Sequence, residues 1–360
     1  MRVLQIITCL GDGGASKLLA DIMLLCKQRG LDMDLLLLNR NPDPLYEKLE
    51  QHNITIYSLS KGSLKKRFNP FLIFKIIPFL KQYDIIHVHL FPPLYWVSIA
   101  KLLCRNNVKI IYTEHNSYNN RMGSRLGTIA DKIMYRNYDK IISISEDVNE
   151  IIKAHTKLDE SKYTVITNGI DLSLFTPKFR KNKEHAEIKT IIQVSLFNLQ
   201  KDQKTLIKSL QYLPENIHVT FAGDGDTRKD CEQLAKSLNL TDRVRFLGNR
   251  NDVPELLSSA DIVVQSSHWE GFGLAALEGM AMGKPVIATD VPGLRQTVKS
   301  AGILFPVGDA KALADEITKL VSDEEYYNKV AKKSLEQAKL FDFNVMVDKY
   351  IEVYNEILQH

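Results

Sequence analysis

Short apolar runs alternate with amphipathic stretches along the whole chain, and that alternation restricts the fold to the α/β class, with helices covering a mostly parallel sheet. In the first half, strands are expected at 3–8, 33–38, 54–57, 85–89, 109–112, 140–144 and 164–166. Helical patterns fall between them at 16–29, 70–81, 94–103 and 129–136. A turn signal, Thr167-Asn168-Gly169-Ile170-Asp171, and a polar, lysine-rich segment at 177–189 interrupt the series. It resumes with strands at 190–194, 218–222, 244–247, 262–265, 285–288 and 302–304, and helices at 202–210, 228–237, 253–258 and 273–281. Beyond 304 only helical patterns follow, at 310–321, 324–338 and 343–358. Two such series in 360 residues predict two doubly wound domains, 1–167 and 168–342. Ligands in open parallel sheets bind beyond the strands' C-terminal ends, so the chemistry is expected in a cleft where two such edges face each other.

Composition removes other classes. An apolar fraction of 44% with 25% charged residues is globular, and a formal charge of +4 is too mild to argue for nucleic acid. The four cysteines (Cys9, Cys26, Cys104, Cys231) have no metal-ligand spacing and read as reduced thiols of a cytoplasmic chain. The N-terminal run has no A-x-A site and reads as a buried strand, not a leader. The best candidate for a membrane span, 71–80, is short and contains Lys75 and Pro78.

The most informative segment is His268-Trp269-Glu270-Gly271-Phe272-Gly273-Leu274-Ala275-Ala276-Leu277-Glu278-Gly279-Met280-Ala281. It follows an apolar strand. Gly271 and Gly273 permit a tight turn, and Leu274, Leu277 and Ala281 then repeat at helical spacing. The first amides of such a helix suit an anion such as a diphosphate. Glu270 and Glu278 would flank that anion with acceptor-only carboxylates, matched to sugar hydroxyls and a ribose diol.

The E-x7-E array Glu270…Glu278, within E-G-F-G-L-x-x-L-E-x-M-A, resembles that of the family 4 glycosyltransferases, which have the GT-B fold. Val165-Ile166-Thr167-Asn168-Gly169-Ile170-Asp171, Phe246-Leu247-Gly248-Asn249-Arg250-Asn251-Asp252-Val253 and Pro285-Val286-Ile287-Ala288-Thr289-Asp290-Val291-Pro292-Gly293 resemble further family segments. The resemblance covers nearly the whole chain and is strongest from about 190 to 310.

It implies two Rossmann-like domains, an acceptor-binding 1–167 and a nucleotide-sugar-binding 168–342, with the helix at 343–358 returning to the first. It also implies sugar transfer from a nucleotide donor with retention of configuration, and no obligatory metal or other cofactor. Carried over by position, Glu278 would bind the ribose hydroxyls and Glu270 the donor sugar. The backbone of Gly271, Phe272, Gly273, Leu274 and Ala275 would contact sugar and phosphate, and Asn249 and Arg250 would seat the base. Lys201 matches the family's phosphate-binding lysine, placed where the leaving diphosphate gains charge. Gly13 and Gly14, in Gly11-Asp12-Gly13-Gly14-Ala15, resemble the glycine-rich loop near the donor phosphates. His115, in Glu114-His115-Asn116, matches a histidine that faces the donor sugar. Lys201, Glu270 and His115 are thus the expected catalytic residues.

One departure stands out. Val194-Ser195-Leu196-Phe197 replaces the family's V-G-R-L, so Leu196 occupies the place of an arginine that helps hold the phosphates.

The glycine-rich loop is a near miss to a dinucleotide fingerprint, but Leu38-Asn39-Arg40 lacks the acid that fingerprint needs. His87 and His89 share one face of a strand and lack a third metal ligand nearby in sequence, so they read as packing or cleft-wall residues. From 51 to 113 there are nine Lys/Arg and one acid, Asp84. The basic and apolar stretch at 61–81 suits peripheral contact with the anionic inner face of the cytoplasmic membrane.

The sequence therefore predicts a hexosyl- or N-acetylhexosaminyltransferase of bacterial surface-polysaccharide synthesis (capsule or lipopolysaccharide). Its partners would be a nucleotide sugar, UDP by family frequency, and a glycan or undecaprenyl-linked acceptor, without nucleic acid. The alternatives are a degenerate nucleotide-sugar- or glycan-binding paralogue, which Leu196 favours, and a nucleotide-sugar epimerase of the same fold.

Overall fold

The computed structural model describes residues 1–11, 14–104, 106–117, 121–177 and 188–359. The chain divides into two compact units, Met1–Thr167 with Asn344–His360, and Asn168–Phe343.

The first unit is built on strands β1 (Arg2–Ile7), β2 (Asp32–Leu37), β3 (Ile56–Ser58), β4 (Ile85–His89), β5 (Lys109–Glu114), β6 (Lys140–Ser143) and β7 (Tyr163–Val165). They form one parallel sheet in the order β3-β2-β1-β4-β5-β6-β7. Helices screen such a sheet on both faces, which is why the central strands are apolar almost throughout. The second unit has β8 (Lys189–Val194), β9 (Ile217–Ala222), β10 (Val244–Phe246), β11 (Ile262–Gln265), β12 (Val286–Thr289) and β13 (Ile303–Phe305), again parallel, in the order β10-β9-β8-β11-β12-β13. Its core includes Ile191, Phe221, Val264, Ile287 and Phe305, all fully buried.

Strand order fixes where each sheet opens. The chain winds outward in one direction from β1 and in the other from β4, so the first sheet's switch point lies between β1 and β4. In the second it lies between β8 and β11, paired as Ile262↔Ile191. Loops leaving such neighbouring strands diverge and leave a crevice at their C-terminal ends.

Several local features differ from expectation, among them helices Leu45–Glu50, Glu146–Thr156 and Leu294–Val298 where no helical pattern was expected. The stretch 70–81 is not one helix but a short helix, Leu72–Ile76, followed by a 3₁₀ turn, Phe79–Lys81. Pro78 lacks the N–H that would continue the ladder. Conversely, the helix expected at 129–136 begins at Arg125, with the Ser124 hydroxyl accepting the Gly127 amide. Gly169, expected in a turn, lies instead in extended chain beside another segment: Ile170 bridges Asp342, and a Cβ on Gly169 would lie 2.9 Å from Phe343 Cα. Glycine is there because two backbone segments pass each other.

The last helix, Phe343–Gln359, packs its Tyr350 and Tyr354 into the first unit, with Lys140 reaching Glu356 at 2.9 Å and Arg29 pairing with Asp348. Among the described residues, no helix is long and apolar enough to cross a membrane.

Candidate active site

In the second unit, the loops leaving β8 and β11 meet above the switch point. Lys201 bridges Ser267 across them, and Asp202 donates its amide to the Ser266 carbonyl at 2.9 Å. The Asn198 side chain caps the turn by accepting the amides of Gln200 (3.0 Å) and Lys201 (3.2 Å). Ser267 is fixed to β12: its amide donates to Thr289 Oγ1 at 3.0 Å, and that hydroxyl donates back to the Ser267 carbonyl at 2.8 Å.

Into this frame comes Glu270, only 6% exposed. Its Oε1 accepts from Lys201 Nζ, from Ser267 Oγ (3.1 Å) and from Gln265 Nε2 (3.4 Å), while Oε2 accepts from Gln200 Nε2 (3.3 Å). A carboxylate has about four lone-pair sites. One oxygen is therefore crowded with donors, and the other retains capacity for a further hydroxyl.

Directly after Glu270 the chain turns at Gly271 and enters helix Leu274–Ala281. Gly273 has φ +90°, and a Cβ there would lie 2.5 Å from a Leu294 side-chain carbon, so only glycine fits. Its carbonyl accepts the amides of Ala276 and Leu277, which leaves those of Leu274 and Ala275 without an intrahelical acceptor. Phe272 is buried edge-on against Phe341, and its carbonyl accepts the Thr297 hydroxyl. Its part in any ligand contact is thus limited to backbone. Glu278 lies half-buried in the second turn.

At the neighbouring β9 and β10 ends, Gly248 adopts φ +70°, and its carbonyl accepts the Gly223 amide at 2.8 Å. Arg250 is exposed and forms two bonds to Asp252, at 2.8 and 2.6 Å. Leu196 is half-buried, and its carbonyl accepts from Gln203 Nε2 at 2.9 Å. Arg228 pairs with Asp224 at 2.9 Å and with Glu232 at 2.8 Å.

In the first unit, Gln5, His87, His89, His115 and Tyr354 form a continuous network beneath the β1–β4 switch point. Distances are 2.7 Å from His87 Nδ1 to Tyr354 OH, 3.0 Å from Gln5 Nε2 to the same hydroxyl, 2.8 Å from His89 Nε2 to Gln5 Oε1, and 3.0 Å from His89 Nδ1 to His115 Nε2. With the Gln5 amide set so that Nε2 donates to Tyr354 OH, Gln5 Oε1 accepts from His89 Nε2–H. His89 Nδ1 then accepts from His115 Nε2–H, leaving His115 Nδ1 as an acceptor; the opposite amide orientation reverses each of these bonds together.

Burial keeps all three rings neutral. The pKa of His115 is pushed down to about 4 by burial. That of His87 falls to about 3 through burial and then His115, and His89 lies well below its usual value.

The sequence places Glu270, Lys201, the Gly271 and Gly273 turn and Glu278 at one expected site, and the structure brings Glu270 and Lys201 together ahead of the helix that carries Glu278. Gln200, Gln265 and Ser267, which hold Glu270, are not among the expected residues, although Gln200 and Ser267 flank the motif segments. Gly14 opens helix Gly14–Gln28, whereas Gly13 lies outside the described residues. Asn249 and Arg250 lie in the loop after β10. His115 belongs to the first unit and bonds His89, behind which Gln5 and Tyr354 continue a network that no local motif announces.

Residues 12–174 match the family described as Glycosyltransferase Family 4, and residues 175–337 match Glycosyl transferases group 1. The chain is 27% identical over 295 residues to the N-acetyl-alpha-D-glucosaminyl L-malate synthase of Bacillus anthracis, covering 77% of this chain and 75% of that one. It is 28% identical to the UDP-Gal:alpha-D-GlcNAc-diphosphoundecaprenol alpha-1,3-galactosyltransferase of Escherichia coli, covering 71% and 66%. HepE of Anabaena, solved in complex with UDP and glucose, superimposes with a TM-score of 0.86 at 25% identity over 99% of both chains.

Proposed function

The chain belongs to the family 4 glycosyltransferases and has their GT-B fold, and from that premise we propose that it moves a hexose or N-acetylhexosamine from UDP to a glycan or undecaprenyl-linked acceptor, with retention of anomeric configuration. The observation that carries this reading is the Glu270–Lys201 cluster at the head of helix Leu274–Ala281.

Each part has a task. Glu270 Oε2 accepts from donor-sugar hydroxyls. The amides of Leu274 and Ala275, with the positive end of the helix, meet the diphosphate. Lys201 exchanges its carboxylate partner for the phosphate oxygens as the glycosidic bond breaks and charge builds on the leaving group. Glu278 takes the ribose diol, and the loop of Asn249 and Arg250 seats the base through its backbone. In the first unit, neutral His115 offers a ring nitrogen to a sugar hydroxyl, the part the family resemblance gives it, and Gly13 and Gly14 keep the phosphate-binding part that the same resemblance gives them. No metal or organic cofactor enters this scheme.

The acceptor class rests on likeness to enzymes whose names specify it, such as the E. coli galactosyltransferase with its diphosphoundecaprenol-linked acceptor. A cytoplasmic protein with such an acceptor would work at the inner face of the membrane. The stretch 61–81 supports that placement: Phe68, Phe71 and Phe74 are exposed beside Lys65, Lys66, Arg67 and Lys75. Assembly of surface polysaccharide, capsule or lipopolysaccharide, is the setting proposed.

The test is transfer by the full chain from UDP-, GDP- and ADP-sugars to a short-chain diphosphate-linked GlcNAc acceptor, with the product anomer read by NMR. An α-linked product from a UDP-α-sugar supports the reading, and an inverted product overturns the retaining mechanism. Tight nucleotide binding without turnover on any acceptor would favour the degenerate binding paralogue, the reading to which Leu196 points.

A further inference from the structure

Helix Arg125–Arg136 is built inside out. At about 3.6 residues per turn, Leu126, Ile129 and Ile133 fall on one strip, roughly opposite Asp131 and Tyr135. The apolar strip faces outward, with exposures of 80%, 56% and 53%, while Asp131 and Tyr135 are fully buried. The inward face is satisfied by polar bonds. Asp131 accepts from Tyr95 OH (2.6 Å), Arg121 Nε (2.8 Å) and His155 Nε2 (2.8 Å), and Tyr135 OH donates to Glu114 at 2.8 Å. This helix is thus anchored without using its aliphatic side chains.

The charges are equally one-sided. Arg125, Lys132 and Arg136 lie beside the apolar strip, and the helix's one acid, Asp131, is the buried residue just described. The same combination recurs next door, where 61–81 holds six Lys/Arg and no acid. One row of side chains joins the two elements. The Phe68 ring lies 6.2 Å from Phe91, Phe91 meets Tyr95 edge-on at 5.3 Å, and Tyr95 bonds Asp131.

We propose that helix Arg125–Arg136 is a second membrane-facing element of the first unit, lying on an anionic bilayer with Leu126, Ile129 and Ile133 inserted and Arg125, Lys132 and Arg136 at the headgroups. This rests on the reading of a membrane-borne acceptor. An outward aliphatic strip bordered by cations alone is the pattern of a helix lying in a bilayer interface. A solvated surface helix carries polar groups there, and a nucleic-acid contact has no use for the aliphatic strip.

The experiment is co-sedimentation of the full chain with vesicles of phosphatidylcholine alone or with phosphatidylglycerol at three-tenths. Wild type is compared with Leu126→Ser/Ile129→Ser/Ile133→Ser and, separately, Phe71→Ser/Phe74→Ser. The wild type is expected to partition onto the anionic vesicles and to be released by high salt. The triple variant should lose about tenfold or more in partitioning, with its melting temperature and its transfer to a short-chain acceptor unchanged. Wild-type partitioning by the triple variant overturns the proposal. So does a wild-type dimer that the triple variant converts to monomer, since the strip would then be covered by a second copy. Loss in the Phe71/Phe74 variant alone overturns this helix's role and leaves the 61–81 contact standing. A wild type that ignores anionic vesicles but transfers sugar overturns both membrane contacts and leaves the transferase reading intact.

Discussion

Beneath the switch point of the first sheet, Gln5, His87, His89, His115 and Tyr354 are joined by hydrogen bonds between neutral groups. Above that of the second, a carboxylate and an ammonium, Glu270 and Lys201, sit among three neutral donors. Same topology, same burial, opposite materials. A neutral network couples the tautomers of its rings and holds them in one orientation. A buried ion pair can exchange partners, because Lys201 can meet a diphosphate in place of a carboxylate. The second cluster therefore answers to an arriving charge, while the first holds the His115 ring neutral and oriented.

The largest effect should come from removing the exchangeable charge. Lys201→Ala is expected to lower kcat by about 10²–10³-fold, the range for losing a group that stabilises developing charge. A stopped assay on UDP release measures it, and a loss under fivefold would erase the distinction between the clusters. Glu278→Ala should raise the nucleotide Kd by about 10–100-fold, the loss of one charge-assisted bond to the ribose, with little change in kcat once saturated; titration calorimetry reads the first and the UDP-release assay the second.

Tyr354→Phe strikes the neutral network at its far end. It leaves His87 Nδ1 and Gln5 Nε2 short of a partner, so stability should fall by about 1–3 kcal/mol while nucleotide affinity stays unchanged. Chemical denaturation checks the first, and a fall in nucleotide affinity would show that the two clusters are not independent.

The smallest effect concerns pH. His87 and His115 stay neutral in the fold down to about pH 3 and 4, whereas in the unfolded chain they protonate near 6.5. Below about 6.5 the unfolded state binds protons that the fold refuses, so stability falls with pH through this window and is flat above it. The melting temperature should drop by several degrees between pH 7 and 5, and by less in His87→Gln. Because His115 is already neutral at pH 6, the rate should show no break near 6.5 from this group.

The charged cluster was legible in the sequence because its parts lie in contiguous strand–turn–helix segments, where glycines and carboxylates stand at fixed offsets. The neutral network was not. Gln5 and Tyr354 are 349 residues apart, and nothing local marks a glutamine in a buried strand as the partner of a tyrosine in the last helix. Glu270's supporting donors fall between these cases. Gln200 and Ser267 sit beside the motif, but only strand order brings β8 and β11 together. Helix boundaries failed where one residue outweighed periodicity: Pro78 ended a pattern that apolar spacing would have continued. At Gly127 a helix breaker hid a real first turn. Glycine is required there because a Cβ would lie 2.5 Å from the Arg121 carbonyl.

If the second unit's switch-point cluster receives the donor diphosphate, calorimetric titration of UDP into wild type, Lys201→Ala and Leu196→Arg, the last placing a cation at the family's arginine position, will separate the three proteins. Saturable binding is expected for wild type, weaker binding for Lys201→Ala and tighter binding for Leu196→Arg. Equal affinity in all three would place the diphosphate elsewhere and contradict this role of the cluster.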